Sequence, residues 1–122
     1  MRDKRAIGHD GEQRALAFLK KRGFSILATN YRFRTGEIDI IARRNNLIAF
    51  IEVKTRLSTR YGYPEEAIDR RRAKRMIQTA KHFLVAKKLY DKTDVRFDVL
   101  ALLRKDDSFR IEYFENALRE ER

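Results

Sequence analysis

The chain has no cysteine, no tryptophan and only one proline among its 122 residues. The absence of cysteine excludes disulfides, thiolate metal sites and a cysteine nucleophile. It also fits a cytoplasmic setting, where disulfides are rare. Long apolar runs are missing too. The longest, such as Leu47–Ile51 and Val99–Leu103, fall far short of the ~20 residues that a membrane helix needs. The charged start Met1-Arg2-Asp3-Lys4-Arg5 runs into Gly8-His9-Asp10-Gly11-Glu12, so no apolar signal core follows it. Negative charge is in short supply. Eighteen acidic residues stand against 29 basic ones, leaving a net charge of +11. Such a surplus draws a protein toward polyanions. DNA and RNA come first, because neutralised phosphates release condensed counterions. An anionic membrane or an acidic protein satisfies charge alone, and a basic surface needs no fixed partner.

What is present reads as one globular domain spanning residues 1–122. The apolar fraction of 43% is enough for a core, and five glycines with one proline are too few for a low-complexity chain. Residues 1–8 read as a mobile basic arm. A helix is predicted from about His9 to Arg22, with Ala15, Leu16 and Leu19 on one face and Gly23 as its stop. Three strands follow, over Phe24–Arg34, Glu37–Arg43 and Leu47–Arg56. Thr35-Gly36 and Asn45-Asn46 form the turns between them. After a loop from Leu57 to Pro64, a long helix capped by Asp69 runs to about Leu89. Its buried stripe is Ala73, Met76, Ile77, Ala80, Phe83 and Leu84. Val95–Leu103 and Phe109–Phe114 are the last two strands. The order α-β-β-β-α-β-β implies an α/β fold, with a mixed five-stranded sheet and helices packed on it.

The second and third strands carry charge where a buried strand should be apolar. Glu52 and Lys54 interrupt one face of Ile48, Phe50, Glu52 and Lys54, since residues two apart point the same way. If Asn45-Asn46 is a two-residue turn, Arg44 pairs with Leu47, Asp39 faces Glu52 and Glu37 faces Lys54. Carboxylates directly across an antiparallel pair have Cβ atoms about 5 Å apart and repel. A divalent cation, a shared proton or a nearby lysine would offset that cost. An all-oxygen donor set favours magnesium or manganese over zinc. A bulge would instead move Asp39 to the other face. The same residues also read as an ordinary cross-strand salt-bridge cluster. Glu12 stands three, four and seven residues before Ala15, Leu16 and Leu19, on the apolar stripe of the first helix. There it is either a buried ligand or a first-turn acid favoured by the helix dipole.

Asp39, followed in the next strand by Glu52-Val53-Lys54, resembles the PD-(D/E)xK nuclease superfamily. The wider pattern is Gly8, Gly11-Glu12, Ala15, Gly36-Glu37-Ile38-Asp39, Phe50-Ile51-Glu52-Val53-Lys54-Thr55-Arg56, Ala67-Ile68 and Arg96-Phe97-Asp98-Val99. It is similar to the YraN-type family, small bacterial proteins described as candidate endonucleases, over about Gly8 to Ala117. The resemblance implies a three-layer restriction-endonuclease-like core of the archaeal Holliday-junction-resolvase type. It also implies roles. Asp39, Glu52 and Glu12 would bind Mg2+ or Mn2+, beside the Val53 carbonyl. Lys54 would assist water attack or stabilise the phosphate, and Glu37 and Arg56 would support them or contact phosphate. Two departures stand out: Ile38 replaces the superfamily's proline, and Arg70-Arg71-Arg72 occupies a region where related sequences often carry lysine.

Lys54, Arg56, Arg60, Arg70, Arg71, Arg72, Lys74 and Arg75 cluster in one segment with Tyr61 and Tyr63. Arginines suit phosphate contacts and loop tyrosines can stack on bases; a solvated helix face is the plainer reading. His9 and His82 form no metal motif and read as surface or helix-end residues. The expectation is therefore a metal-dependent endodeoxyribonuclease acting on DNA, branched or damaged, with no membrane partner. Enzymes that cut two strands often pair two copies by symmetry, so a homodimer fits. The alternatives are a nucleic-acid-binding module that keeps the fold without cleavage, and a scaffold for an acidic protein.

Overall fold

The structure is a computed structural model that describes residues 4–56, 70–106 and 108–117, with side chains from Asp10 onward. Helix α1 is Lys4–Lys21, followed by strands β1 (Ser25–Phe33), β2 (Gly36–Arg44) and β3 (Leu47–Arg56). Helix α2 is Arg70–Ala86, and β4 (Asp94–Lys105) and β5 (Ser108–Phe114) complete the chain. This is the predicted order. Helix α1 begins earlier than predicted, so residues 4–8 belong to it and not to an arm. Lysine, arginine and alanine there are all strong helix formers.

Helix α1 ends as Gly23 predicts. Gly23 takes φ +88°, its N–H reaches the Lys20 carbonyl at 3.0 Å, and the Phe24 N–H reaches the Leu19 carbonyl at 3.1 Å. These two bonds make a Schellman cap, with Leu19 and Phe24 in one apolar cluster. Helix α2 closes the same way three residues before the predicted end. Lys88 takes the left-handed conformation, and the Leu89 N–H reaches the Leu84 carbonyl at 2.8 Å. The Asp69 cap lies outside the described residues.

The five strands stand in sequence order, β1-β2-β3-β4-β5. All neighbours are antiparallel except β3 and β4, which α2 connects in parallel. Strand β3 is covered on both faces. Ala49 and Ile51 pack with Ala15 and Leu19 of α1, whereas Ile48 and Phe50 pack with Met76, Ala80, Phe83 and Leu84 of α2. The result is three layers, α/β/α, and the doubly buried strand accounts for the near-continuous run Leu47–Ile51. No helix among the described residues is long and apolar enough to cross a membrane.

Three polar details escaped the sequence reading. Thr79 is buried in α2; its hydroxyl donates to the Arg75 carbonyl at 2.9 Å and meets Thr35 Oγ1 at 2.6 Å. That contact docks the β1–β2 turn on α2. His82 lies within α2, not at its end, with Nδ1 2.7 Å from the Tyr31 hydroxyl and its ring stacked on Phe33. Asp98 is fully buried. It accepts Arg96 Nε at 2.9 Å, the Asn116 N–H at 2.8 Å and the Tyr113 hydroxyl. Burial and the Asp98 carboxylate both push the Tyr113 phenol upward from its ordinary pKa. The cluster ties the turn after β5 back to β4.

Candidate active site

The site lies where β2 and β3 part. Their ladder runs from Arg44↔Leu47 to Ile40↔Ile51, as the Asn45-Asn46 turn predicts, and Asn45 takes φ 55° there. One more pair would set Asp39 opposite Glu52, but the ladder stops short of it. From there β2 continues only along β1, through Tyr31↔Ile38, Arg32↔Glu37 and Phe33↔Gly36. Strand β3 continues along β4 as far as Arg56↔Leu103. Asp39 sits in the crotch of the fork. Its Oδ2 accepts the Val53 N–H at 2.8 Å, taking the place of a strand carbonyl.

The alternation of β2 also breaks at this point. Ile38 belongs to the cluster under α2 and Ile40 to the cluster under α1, although residues two apart in a strand share a face. The expectation that Asp39 and Glu52 meet directly on one face is therefore corrected. Asp39 lines a cleft of about 210 Å³ on the α1 side, together with Glu12, Asn30, Ile40, Val53 and Thr55. Glu52 lines a cleft of about 350 Å³ on the α2 side, with Gly36, Glu37, Arg71, Arg72, Arg75 and Met76. Glu37 does not face Lys54 either. Its ladder partner is Arg32, whose Nε lies 3.4 Å from the Glu37 carboxylate.

Asp39 still senses the acids around it. Its carboxyl is pushed up to about 6, chiefly by burial and then by the negative charges of Glu52 and Glu37. The Val53 N–H and Arg72 pull the other way. Glu52 is 2% exposed and carries two cations. Lys54 Nζ lies 3.2 Å from its Oε1, and the Arg72 guanidinium donates to the same oxygen. Carboxylates this buried need such partners.

Glu12 reaches the α1-side cleft through a close helix–sheet approach. A Cβ on Gly11 would lie 3.1 Å from Leu102 Cδ1 and 3.3 Å from Thr55 Oγ1, so the small residue lets α1 come down on the end of β3. Glu12 is half-buried and accepts a hydrogen bond from Asn30 Nδ2 at 3.1 Å. Sequence reasoning missed Asn30. Its signal was an asparagine inside a strand pattern, where that residue is disfavoured unless the backbone turns left-handed.

Of the basic residues, Arg70, Arg71, Arg72 and Lys74 occupy the exposed first turns of α2, and Arg71 and Arg72 border the Glu52 cleft. Arg75, also exposed, lines it too. Arg56 is half-buried at the end of β3. Arg60, Tyr61 and Tyr63 lie outside the described residues.

The pattern of the uncharacterised protein family UPF0102 matches residues 11–102, which span Glu12, the fork and α2. The chain belongs to the UPF0102 family. A UPF0102 protein of Lachnoclostridium phytofermentans is 42% identical over 104 residues, covering 85% of this chain and 88% of that protein. Another, from Chlorobium phaeobacteroides, is 45% identical over 101 residues, covering 83% and 79%. A third, from Caldicellulosiruptor saccharolyticus, is 40% identical over 117 residues, covering 94% and 98%. This UPF0102 chain is thus similar to those relatives over most of its length.

The donor chemistry at the fork fits a hard divalent cation: carboxylate oxygens, with no thiolate or imidazole among the lining residues. Burial, and after it the charges of Glu52 and Glu37, make the ionised form of Asp39 costly, and a bound cation would offset that cost. Among the described residues, however, no three acidic, histidine or cysteine side chains are already gathered as a metal cage.

Proposed function

We propose that this UPF0102 protein is a Mg2+- or Mn2+-dependent endonuclease that hydrolyses phosphodiester bonds in DNA. The observation that carries the reading is the fork itself. It gives Asp39 a raised pKa beside the Glu52–Lys54 ion pair, and the arginine-rich start of α2 borders the Glu52 cleft. Asp39 would hold the ion together with Glu12, which lines the same α1-side cleft, and Glu52 would join them by turning from its ion pairs on the α2 side of the fork. A bound divalent ion supplies a lowered water pKa and neutralises charge on the phosphate. Lys54, half-buried beside Glu52, adds a positive charge for the phosphate oxygens in the transition state. Arg71, Arg72 and Arg75 line the open side of the Glu52 cleft and offer guanidinium forks to the DNA backbone. Branched and damaged DNA fall within the substrate class of this reading.

A second reading rests on a specific observation. Glu52 is already neutralised by Lys54 and Arg72, and no metal cage is gathered among the described residues. Those facts favour a nucleic-acid-binding module that keeps the nuclease fold without cleaving. One assay separates the two. Linear, flapped and four-way-junction DNA are incubated with and without Mn2+, using wild type, Asp39→Ala and Glu52→Ala. The nuclease reading expects cut product from wild type with metal and none from either variant, with DNA binding retained by all three. Equal cleavage by the variants removes the catalytic assignment, and intact DNA throughout favours the binding module.

A further inference from the structure

Strand β1 carries an irregularity at the one position that faces Asp39. The ladder pairs Thr29↔Ile40 and Tyr31↔Ile38 bracket Asn30 and Asp39, which stand across from each other without a pair of their own. Asn30 takes φ 53°, the left-handed conformation, inside a strand. Few residues other than glycine accept it, and asparagine is foremost among them. On the facing strand, Asp39 is where the alternation of β2 breaks between Ile38 and Ile40. The two departures coincide. The left-handed step in β1 lets the edge strand follow β2 through the break that turns Asp39 toward the α1-side cleft.

The Asn30 side chain acts on the other acid of that cleft. Its Nδ2 donates to Glu12 Oε1 at 3.1 Å, and Glu12, Asn30 and Asp39 line the same cleft. The hydrogen bond is exposed, so it adds little to stability. What it does is restrict where a flexible glutamate on a helix points. Groups that hold ligands in this way are worth about 10- to 100-fold in metal affinity where they have been removed.

We propose that Asn30 is a positioning residue for the Glu12–Asp39 pair. Its amide aims the Glu12 carboxylate into the cleft, and its left-handed backbone accommodates the turn that presents Asp39. The inference rests on the metal-binding reading of the fork and adds a residue that the reading does not include.

Glycine and alanine separate the two contributions. Asn30→Gly keeps the left-handed backbone and deletes the amide; Asn30→Ala deletes the amide and strains the backbone. The probe is Mn2+ alone, titrated into the intact protein and followed by the electron paramagnetic resonance of the free ion. Thermal unfolding is recorded on the same samples. Asn30→Gly should melt close to wild type yet bind Mn2+ about tenfold more weakly, and Asn30→Ala should melt below Asn30→Gly. In a Glu12→Ala background, Asn30→Gly should weaken Mn2+ binding no further. Wild-type affinity in Asn30→Gly overturns the amide's role, as does an undiminished loss in the Glu12→Ala background. An Asn30→Ala protein that melts with or above Asn30→Gly overturns the backbone's role. Failure of wild type itself to bind Mn2+ would overturn the metal reading, and the inference with it.

Discussion

The guanidinium of Arg72, on the second helix, rests on the carboxylate of Glu52, on the central strand. Glu52 is almost wholly buried, and Lys54 from its own strand reaches the same oxygen at 3.2 Å. One carboxylate therefore carries two cations. The outer half of Arg72 is open to solvent, with its side chain 52% exposed, whereas that of Lys54 is only 12% exposed. In the metal-binding reading, Arg72 is the partner that would give way to a divalent ion or a phosphate.

Replacing Arg72 with glutamine should therefore weaken the metal-free protein. The loss should be about 1–2 kcal/mol, below the usual cost of breaking a buried pair, because Lys54 remains and Arg72 is half-exposed. Saturating Mn2+ should close most of the gap, since the ion takes over the neutralisation. Urea unfolding in EDTA and in Mn2+ measures both numbers. A gap that Mn2+ leaves unchanged would show that the ion does not reach Glu52.

Asp39 gives the protein a pH signature. Its folded pKa of about 6 lies above the unfolded value of 3.8. Between those values the folded state binds more protons than the unfolded state. Metal-free stability should therefore fall as pH rises from about 4 to about 6, by up to about 3 kcal/mol, and hold its lower level above. Asp39→Asn keeps an acceptor for the Val53 N–H and removes the charge. It should be inactive, more stable than wild type at pH 7.5, and free of that slope. Chemical denaturation across pH 4–8 checks this, and an Asp39→Asn protein less stable than wild type would contradict it.

Salt dependence tests the basic face. Arg70, Arg71 and Lys74 are exposed on the first turns of α2, and changing them to glutamine leaves the Arg72–Glu52 pair in place. The slope of log affinity for duplex DNA against log salt should flatten by about 0.9 for each phosphate that the variant no longer neutralises. Filter binding or fluorescence anisotropy at several salt concentrations reads it. An unchanged slope would take this face out of the interface.

Gly11 sets the height of α1 above the sheet. Gly11→Ala should be nearly neutral, because its Cβ would press on Leu102 and Thr55 by a few tenths of an ångström while helix propensity gains about 1 kcal/mol. Gly11→Val should cost about 1–3 kcal/mol by overpacking. It should also reduce Mn2+ affinity more than Gly11→Ala does, because it lifts Glu12 from the cleft. Thermal melts and ion titration on the two variants provide the comparison.

The sequence was a good guide wherever one local rule governed. Apolar spacing found both helices, Gly23 ended the first, and Asn45-Asn46 set the register of β2 on β3 up to Ile40↔Ile51. The fork was not legible, because a ladder count assumes that pairing continues until a strand ends. Here β2 parts from β3 in mid-strand while staying paired with β1, and no residue type announces that parting except Asn30, whose left-handed tendency is a weak signal alone. Asp98 was visible in the sequence, but nothing local told that its partners would be Tyr113 and Asn116, fifteen or more residues away. The start of α1 at Lys4 was missed for a different reason: a basic stretch without apolar periodicity can still be helical when its residues favour it.

The bond from the Val53 N–H to Asp39 has a spectroscopic consequence. A backbone proton held by a carboxylate resonates at a position set by that carboxylate's charge. The Val53 amide is thus an internal indicator for the fork, readable in a single nitrogen–proton correlation spectrum. Its signal would shift as Asp39 takes up a proton and shift again as an ion or a phosphate enters, giving an occupancy measurement that requires no substrate to be cut.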